Sequence, residues 1–223
     1  MNLKPAVKLP LVWVALLLCA TIPLAHGAED ETAVRPHWSF EFKGGRFSPA
    51  IDDWSTYYGK DSMQHFSASL GYKVLRQLEV GVEAGTMHDR GQGYLPLNDT
   101  IGGRVYYELY PLHVFVLLRG VFAEGQWLVP YIGGGWTRMY YKQDVANQER
   151  VKGSVDGSHT RAGVQLLLDV FARNSARQLF AQYGIDNTYL FVEQQTIEAE
   201  VDAGGATVDI GGDSVLLGVL FEF

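Results

Sequence analysis

Cysteine and charge are both scarce in this sequence. Its 223 residues include one cysteine, which excludes a disulfide framework and disfavours a thiolate metal cluster. Lysine and arginine total 18 against 25 aspartate and glutamate, so the net charge of −7 is a poor match for nucleic-acid phosphate, and we expect no nucleic-acid partner. Only 19% of the residues are charged while 13% are aromatic, a composition that excludes a disordered chain.

The sequence also lacks a hydrophobic run long enough for a membrane-spanning helix. Its one long apolar run, residues 9–25, falls short of the ~20 apolar residues that such a helix needs. Lysines precede the run, and Ala25-His26-Gly27 at its end supplies the small residues that signal-peptide cleavage requires. We predict a cleaved signal peptide over residues 1–27, a short periplasmic segment over residues 28–36, and export across an inner membrane.

The rest of the chain is dominated by alternation of apolar and polar residues, which marks strands with one apolar and one polar face. Near the start, for example, Phe40 and Phe42 alternate with Glu41 and Lys43. The alternation predicts an all-β fold, an eight-stranded antiparallel up-and-down transmembrane β-barrel over residues 37–223. The predicted strands cover residues 37–48, 62–73, 77–88, 102–118, 128–143, 158–169, 179–192 and 212–223.

The connections between these strands alternate in length. Short turns at one end and longer loops at the other are typical of an outer-membrane barrel. We therefore expect short periplasmic turns, longer extracellular loops, and both termini at the periplasmic end. Alternation inside the last long loop predicts a hairpin that extends the final two strands. The long connections are residues 49–61, 89–101, 144–157 and 193–211, and the shorter ones are residues 74–76, 119–127 and 170–178.

The polar faces of the strands carry charges of both signs. A soluble barrel would leave these charges in water, whereas a membrane barrel turns them inward. Because an eight-stranded barrel is only wide enough to be filled by side chains, the charges should pair and close the lumen. Arg138 is assigned to the lumen because arginine on a lipid face near the midplane costs about 2–4 kcal/mol. The predicted lumen charge network comprises Glu41, Lys43, Glu79, Glu83, Arg104, Glu108, Arg138, Arg161, Asp169, Asp186 and Glu222.

The end of the sequence carries a family resemblance. Apolar residues occupy alternate positions up to a final phenylalanine, namely Val215, Leu217, Val219, Phe221 and Phe223. This resembles the C-terminal signal that the barrel-assembly machinery reads in outer-membrane proteins. In pattern and size, residues 37–223 resemble the small eight-stranded outer-membrane barrels of the OmpA-, OmpX- and OmpW-like group. The resemblance implies a monomeric integral protein of a Gram-negative-type outer membrane that contacts membrane lipid and lipopolysaccharide and needs no cofactor.

The sequence leaves three functional hypotheses open. The first is a non-catalytic barrel with a structural, surface-interaction or small-solute conduit role. An OmpW-like conduit for apolar compounds requires an apolar upper lumen and a lateral opening, and the charges predicted inside the lumen argue against one. The second is a lipid A-modifying enzyme, because His65 and Ser67 have the His-x-Ser spacing of the lipid A deacylase family. That family carries the motif on a late strand, where residues 182–188 have neither residue. The third is a soluble periplasmic barrel that binds a small ligand.

The histidines show no metal-ligand spacing, so no metal site is expected.

Overall fold

The computed structural model describes residues 36–51, 54–55, 60–95, 100–123, 125–145, 151–203 and 206–223, and their side chains except those of 90–95, 100–105, 145, 202–203 and 206–207. One helix in this part of the chain, α1, covers Arg173–Tyr183. The strands are β1 (Trp38–Pro49), β2 (Met63–Lys73), β3 (Leu78–Leu95), β4 (Thr100–Arg119), β5 (Leu128–Val145), β6 (Val151–Leu167), β7 (Asn187–Glu198), β8 (Glu200–Ala203), β9 (Ala206–Asp209) and β10 (Gly212–Glu222).

Eight of these strands close into a single antiparallel barrel, as the alternation predicts. The order around the barrel is β1-β10-β7-β6-β5-β4-β3-β2, so consecutive barrel strands pair, and β8 and β9 form a separate hairpin between β7 and β10. The barrel closes between β1 and β10, where the pairing runs from Ser39 opposite Glu222 to Pro49 opposite Gly212. Closure gives every barrel strand two partners and leaves no free sheet edge.

The barrel turns its apolar faces outward over most of its height. On β1, Glu41 and Lys43 point inward and are each 1% exposed, whereas Phe42 points outward and is 59% exposed. On β10 the outward Val215 and Leu217 are also well exposed. Such a surface suits lipid and not water, so the barrel spans a membrane and the hypothesis of a soluble barrel is not supported. No helix among the described residues is long and apolar enough to cross a bilayer.

The lipid-facing band has a definite upper limit. On β5 the outward apolar stretch runs from Leu128 to Trp136. At a rise of about 3.3 Å per residue and a tilt of about 40°, this stretch covers roughly 20–23 Å, close to the ~25 Å of an outer-membrane apolar band. The next outward residues on β5 are Arg138, Tyr140 and Lys142, so the unbroken apolar stretch ends at Trp136 and β5 continues above the membrane.

The predicted connections are right only in part. Most of residues 89–101 and 144–157, which were predicted as long upper loops, belong to β3, β4, β5 and β6, because these strands extend above the lipid-facing band. Lower turns over residues 74–77 and 120–127 are short, and β8 and β9 form the predicted hairpin above the last two barrel strands. The third lower connection, residues 168–186, is long and contains α1. The predicted strand over 179–192 is therefore wrong in its first half, and β7 begins only at Asn187.

The error in that strand has a local cause. Alternation from Ala181 to Ile185 was too short to exclude a helix, because so short an apolar pattern does not distinguish the two-residue period of a strand from the 3.6-residue period of a helix. Gly184 then ends α1 in the left-handed conformation, with φ of 70°, and its backbone N–H donates to the carbonyl of Phe180. A left-handed glycine directly after the last helical turn is the usual helix stop signal.

Candidate functional site

The inward side chains of the barrel strands form layers in the lumen, stacked from the periplasmic to the extracellular end. Along β2 the inward residues run upward from Lys73 through Ser69 and His65 to Met63. The chemistry thus changes from charged to polar to apolar between the periplasmic and the extracellular end.

Two small apolar clusters lie beside the charged side chains of the lumen, one of Val129, Leu167, Tyr189, Phe191 and Leu220 and one of Phe115, Leu117 and Tyr131. Four further groups of buried side chains make up the layers. The lower cluster comprises Lys73, Glu79, Arg119 and Glu222; the charge plug comprises Glu41, Lys43, Glu83, Arg161 and Glu193; the histidine layer comprises His65, His113, Thr137, His159 and Ser214; and the apolar cap comprises Phe47, Trp54, Met63, Met87, Tyr107, Leu109, Met139, Ile197, Ala199 and Ile210.

The charge plug is a network of ion pairs across the barrel. Lys43 Nζ lies 2.5 Å from Glu193 Oε1 and 2.8 Å from Glu83 Oε2. Arg161 Nη1 lies 3.0 Å from Glu83 Oε2 and 3.6 Å from Glu41 Oε2. Because each side chain is at most 2% exposed and its partners come from different strands, the plug closes the middle of the lumen.

Neutral groups complete the plug. Ser69 Oγ donates to Glu41 Oε2 at 2.8 Å, and Tyr131 Oη donates to Glu193 Oε2 at 2.8 Å. The Arg161 guanidinium also stacks over the Phe115 ring, with Cζ 3.8 Å from the ring centroid. These contacts hold Glu193 by both of its oxygens, whereas Glu41 Oε1, Glu83 Oε1 and Arg161 Nε and Nη2 are buried without a hydrogen bond to a described residue.

The lower cluster pairs charges at the periplasmic mouth. Glu222 Oε1 accepts from Arg119 Nη1 at 2.6 Å and lies 2.5 Å from Lys73 Nζ. Arg119 Nη2 also donates to Gln165 Oε1 at 2.6 Å. Glu79 lies against the same arginine, 3.6 Å from its Nη1. A second, separate set of ion pairs thus lines the cavity at the periplasmic mouth.

Six of the predicted network residues meet in these two groups, namely Glu41, Lys43, Glu79, Glu83, Arg161 and Glu222. Sequence reasoning missed three of their partners, Lys73, Arg119 and Glu193. Arg119 follows a stretch that is apolar on both faces, so its side could not be assigned. Glu193 fell just beyond the predicted end of its strand. No alternation in the sequence marked it, because residues 189–192 are all apolar and residues 193–196 are all polar.

Four predicted network residues lie elsewhere, and their assignment to the lumen is wrong. Glu108 and Arg138 face outward above the lipid band, where Glu108 pairs with Lys142 at 2.9 Å and Arg138 with Asp156 at 3.7 Å. The free-energy cost of placing arginine on a lipid face, from which an inward Arg138 was predicted, does not apply above the lipid-facing band. Asp169 and Asp186 lie in the lower connection, outside any strand. The side chain of a fifth, Arg104, lies outside the described part of the chain.

The two displaced aspartates share one environment. Each is partly buried in the lower connection, and burial is the main cause that raises the pKa of Asp169 above its usual value. Burial likewise raises the pKa of Asp186, with the nearby Glu222 carboxylate as a further cause. Neither makes an ion pair among the described side chains.

The histidine layer lies directly above the charge plug. Thr137 Oγ1 lies 2.8 Å from His113 Nδ1 and 2.9 Å from His159 Nδ1, and the two imidazole rings are 4.4 Å apart. His65 Nδ1 lies 2.9 Å from Ser214 Oγ. The Nε2 atoms of all three histidines are buried without a hydrogen bond to any described residue. No group of three or more histidine, aspartate and glutamate side chains in the described residues has the geometry to hold a metal ion.

His65 and Ser67, the candidate catalytic pair, both point into this closed lumen. They are 0% and 4% exposed, and His65 contacts Ser214 through Nδ1. Ser67 Oγ makes no hydrogen bond with a described residue. A lipid in the bilayer meets the opposite face of β2, which presents Phe66 and Ala68. The geometry therefore separates this pair from a membrane substrate.

The apolar cap fills the upper lumen. Met87, Leu109 and Met139 are 0% exposed, and Trp54 from the first upper loop packs on them from above. Trp54 meets Tyr107 edge-on, with ring centroids 5.3 Å apart. The upper lumen is apolar, contrary to the expectation from the sequence.

The residues of the C-terminal pattern all lie on the lipid side of β10. Val215, Leu217 and Phe223 are 62%, 58% and 43% exposed, and Val219 and Phe221 are half-buried between neighbouring side chains. They continue the lipid-facing band down to the barrel seam, where Phe223 and Trp38 exchange backbone hydrogen bonds.

Comparison with known proteins finds structures but no sequence relatives. No family model and no curated protein matches the sequence. The outer membrane protein OprG from Pseudomonas aeruginosa matches with a TM-score of 0.58 at 13% identity, over 85% of this chain and 97% of that one. Neisserial surface protein A matches with a TM-score of 0.53 at 13% identity, over 83% and 97%. At this identity the likeness shows the fold alone, which is that of the small eight-stranded outer-membrane barrels.

Proposed function

We propose that this chain is a non-catalytic integral protein of a Gram-negative-type outer membrane, exported with the signal peptide over residues 1–27, and that it acts as a structural and surface-interaction barrel with a closed lumen. The charge plug is the observation that carries the proposal. Lys43 and Arg161 are held by carboxylates from other strands, at 2.5–3.0 Å for the shortest pairs. An ion crossing the barrel would have to separate buried charges, each of which is costly to leave unpaired.

Single-channel conductance in a planar bilayer tests the closed lumen. The mature protein, residues 28–223, is refolded, and a gel shift on boiling verifies folding. The wild type should give no discrete steps. The double variant Arg161→Ala with Glu83→Ala removes a pair from the plug and serves as the positive control, because it should conduct. Discrete, reproducible steps from the wild type would overturn the proposal and favour a transport role.

A second candidate is a conduit for small apolar compounds, and the apolar cap favours it. Three methionines, which adapt to irregular ligands, lie in the cap, and Trp54 from the first upper loop packs in the same cluster. An apolar fluorescent probe added to folded barrel in micelles tests this candidate. A conduit should bind the probe, and Trp54→Ala should bind it more tightly. If neither form takes up the probe, the conduit is ruled out.

Lipid A chemistry is the weaker alternative. The support for a non-catalytic role is that His65 and Ser67 face a sealed lumen while lipid meets the other side of β2. Expression of the wild type in a host with unmodified lipid A should leave the lipid A mass unchanged. A mass change that His65→Ala and Ser67→Ala abolish, with the barrel still folded, would establish the enzyme instead.

We also propose that the barrel works as a monomer that contacts lipopolysaccharide at its upper rim. The outward residues Arg46, Gln64 and His88 lie opposite one another on β1, β2 and β3, just above the lipid band. With Lys60, Asp61 and Asp89 they line one surface cavity. Lys60 Nζ lies 3.7 Å from Asp89 Oδ1, so Arg46 is the basic group proposed to bind a lipid A phosphate. Lipopolysaccharide in the bilayer should raise the unfolding temperature, and Arg46→Gln should reduce that gain. An equal gain in the variant would contradict the assignment.

The C-terminal residues suit recognition by the barrel-assembly machinery during biogenesis. Phe221 and Phe223 lie on the outer face of the closing strand, where a partner could read them before the barrel closes. Phe223→Gln should slow assembly in cells more than refolding in detergent. Equal slowing in both settings would indicate a purely structural role.

A further inference from the structure

The helix α1 at the periplasmic end buries none of its side chains fully against the described part of the barrel. It lies between the lower ends of β6 and β7, at the same end as Trp38 and Phe223. None of its residues is buried, and Phe180 and Tyr183 are 59% and 71% exposed. A helix of eleven residues is marginal in water by itself, so its stability calls for a surface that covers one face.

The sequence of α1 separates into two faces. At 100° per residue, Ala176, Leu179, Phe180 and Tyr183 fall within an arc of about 100°. Asn174, Gln178 and Gln182 occupy the opposite side. The helix thus has one compact apolar face and one uncharged polar face.

The charges on α1 are all of one sign and lie at the edge of the apolar face. Arg173 and Arg177 border it on the side of Phe180, and the helix contains no acidic residue. Arginine beside an apolar face can bury its stem and direct its guanidinium to phosphate. This arrangement is typical of helices that lie in a membrane interface, which carry basic residues next to an apolar face.

Other apolar side chains continue this face around the lower rim. Phe171, just before α1, is 70% exposed, and the neighbouring lower turns expose Leu75, Phe122 and Trp127 by 61%, 40% and 57%. They lie below the lipid-facing band that ends at residues such as Trp38 and Phe223. Val170 and Phe171, 41% and 70% exposed, connect the lower end of β6 to α1, so exposed apolar side chains continue along the chain from the lipid-facing band to the helix.

We propose that α1 is an in-plane anchor that lies on the periplasmic leaflet of the outer membrane, with its apolar face among the acyl chains and its two arginines on phospholipid phosphates. This binding surface is additional to the closed-lumen function and does not depend on it. A lipid surface is favoured over a protein because the apolar face continues an established lipid-facing surface and the flanking charges complement anionic headgroups.

Site-directed spin labelling tests the anchor. The mature chain, residues 28–223, has no cysteine, so single-cysteine variants can be labelled without background. Refolded protein in vesicles of phosphatidylcholine and phosphatidylglycerol is labelled at each position from 174 to 183. Accessibility to oxygen should peak at residues 176, 179, 180 and 183, and accessibility to a water-soluble nickel complex should peak at 174, 178 and 182.

Phe180→Cys and Gln178→Cys are the matched pair, because they lie on opposite faces of one helical turn. The label at 180 should be several-fold less accessible to nickel than the label at 178. Arg173→Gln with Arg177→Gln, added to Phe180→Cys, should reduce the extra protection that phosphatidylglycerol provides over phosphatidylcholine alone. A gel shift on boiling checks that each variant is folded.

Three results would overturn the anchor. Equal nickel accessibility at 178 and 180 in vesicles would place α1 in water. If the accessibility pattern along α1 were identical in vesicles with and without phosphatidylglycerol, and unchanged by loss of both arginines, the arginines would not bind phospholipid phosphate. A pattern that arises only when periplasmic proteins are added would assign the face to a protein partner.

Discussion

The barrel strands reverse the polarity of their inward and outward faces between their lower and upper ends. At bilayer height, Lys43 faces inward and Phe42 outward, whereas higher up Met87 faces inward and His88 outward. Below the membrane boundary the barrel is therefore inverted, and above it the barrel has the arrangement of a soluble protein. The difference shows that each face takes its polarity from whatever lies outside it, lipid or water.

The two halves of the lumen also use different means of closure. The lower half depends on pairing, because each buried charge needs a partner in a fixed position. The upper half depends on filling, because Met87, Leu109 and Met139 need only suitable volume. Loss of one side chain should thus lower the free energy of unfolding more in the lower half of the lumen than in the upper half.

The largest effect is expected from breaking the charge plug. Arg161→Met leaves Glu41, Glu83 and Glu193 with Lys43 as their only plug cation, and should lower the free energy of unfolding by about 3–5 kcal/mol. Urea unfolding in lipid vesicles measures it. Arg138→Met is the matched control, since it removes an exposed pair worth at most about 1 kcal/mol. Equal losses in the two variants would mean that the plug is solvated.

Truncation in the apolar cap should have a somewhat smaller effect. Met87→Ala removes a side chain that is 0% exposed and should cost about 2–5 kcal/mol, depending on how far Leu109 and Met139 collapse into the space. The same unfolding assay measures the loss. Val215→Ala, on the lipid face, should cost far less. A cost for Met87→Ala below that of the control would show that the cap is loosely packed.

The histidine layer, between the two halves, should respond more weakly. Thr137→Val removes the hydroxyl that lies within 2.9 Å of Nδ1 of both His113 and His159, and should cost about 1–3 kcal/mol. Thr196→Val removes an exposed hydroxyl that donates to Asp213 at 2.6 Å and should change stability by no more than about 0.5 kcal/mol. Indistinguishable values for the two variants would contradict a structural role for the Thr137 hydroxyl.

The smallest effect concerns the exposed pair above the membrane. The hydrogen bond from Lys142, at 2.9 Å, is the main cause that holds the pKa of Glu108 below its usual value. A carboxylate with a depressed pKa stabilises the fold at neutral pH, and this contribution is lost as the pH falls through the folded-state pKa. Glu108→Gln should therefore flatten the acid limb of stability against pH slightly. An unchanged limb would mean that the pair contributes nothing.

The alternation along the sequence predicted the barrel because a lipid-facing strand has a period of two regardless of its partners. It also placed Glu41, Lys43, Glu83 and Arg161 in the lumen, since each lies on a strand whose other face is plainly apolar. It failed at Glu108 and Arg138 because the polarity of the faces reverses above the membrane. Alternation reports that two faces differ, and the surrounding medium decides which one points inward.

By itself the sequence determined that this chain forms strands with one apolar and one polar face, in a number and order that close into a barrel, because these properties depend on residues close together in the chain. Only the tertiary structure decided which charges meet. Lys43 and Glu193 are distant in sequence, and their 2.5 Å contact exists because barrel closure sets the register of β1, β10 and β7. It also decided that α1 leaves the barrel wall, since a short apolar pattern fits a helix as well as a strand until its neighbours are in place.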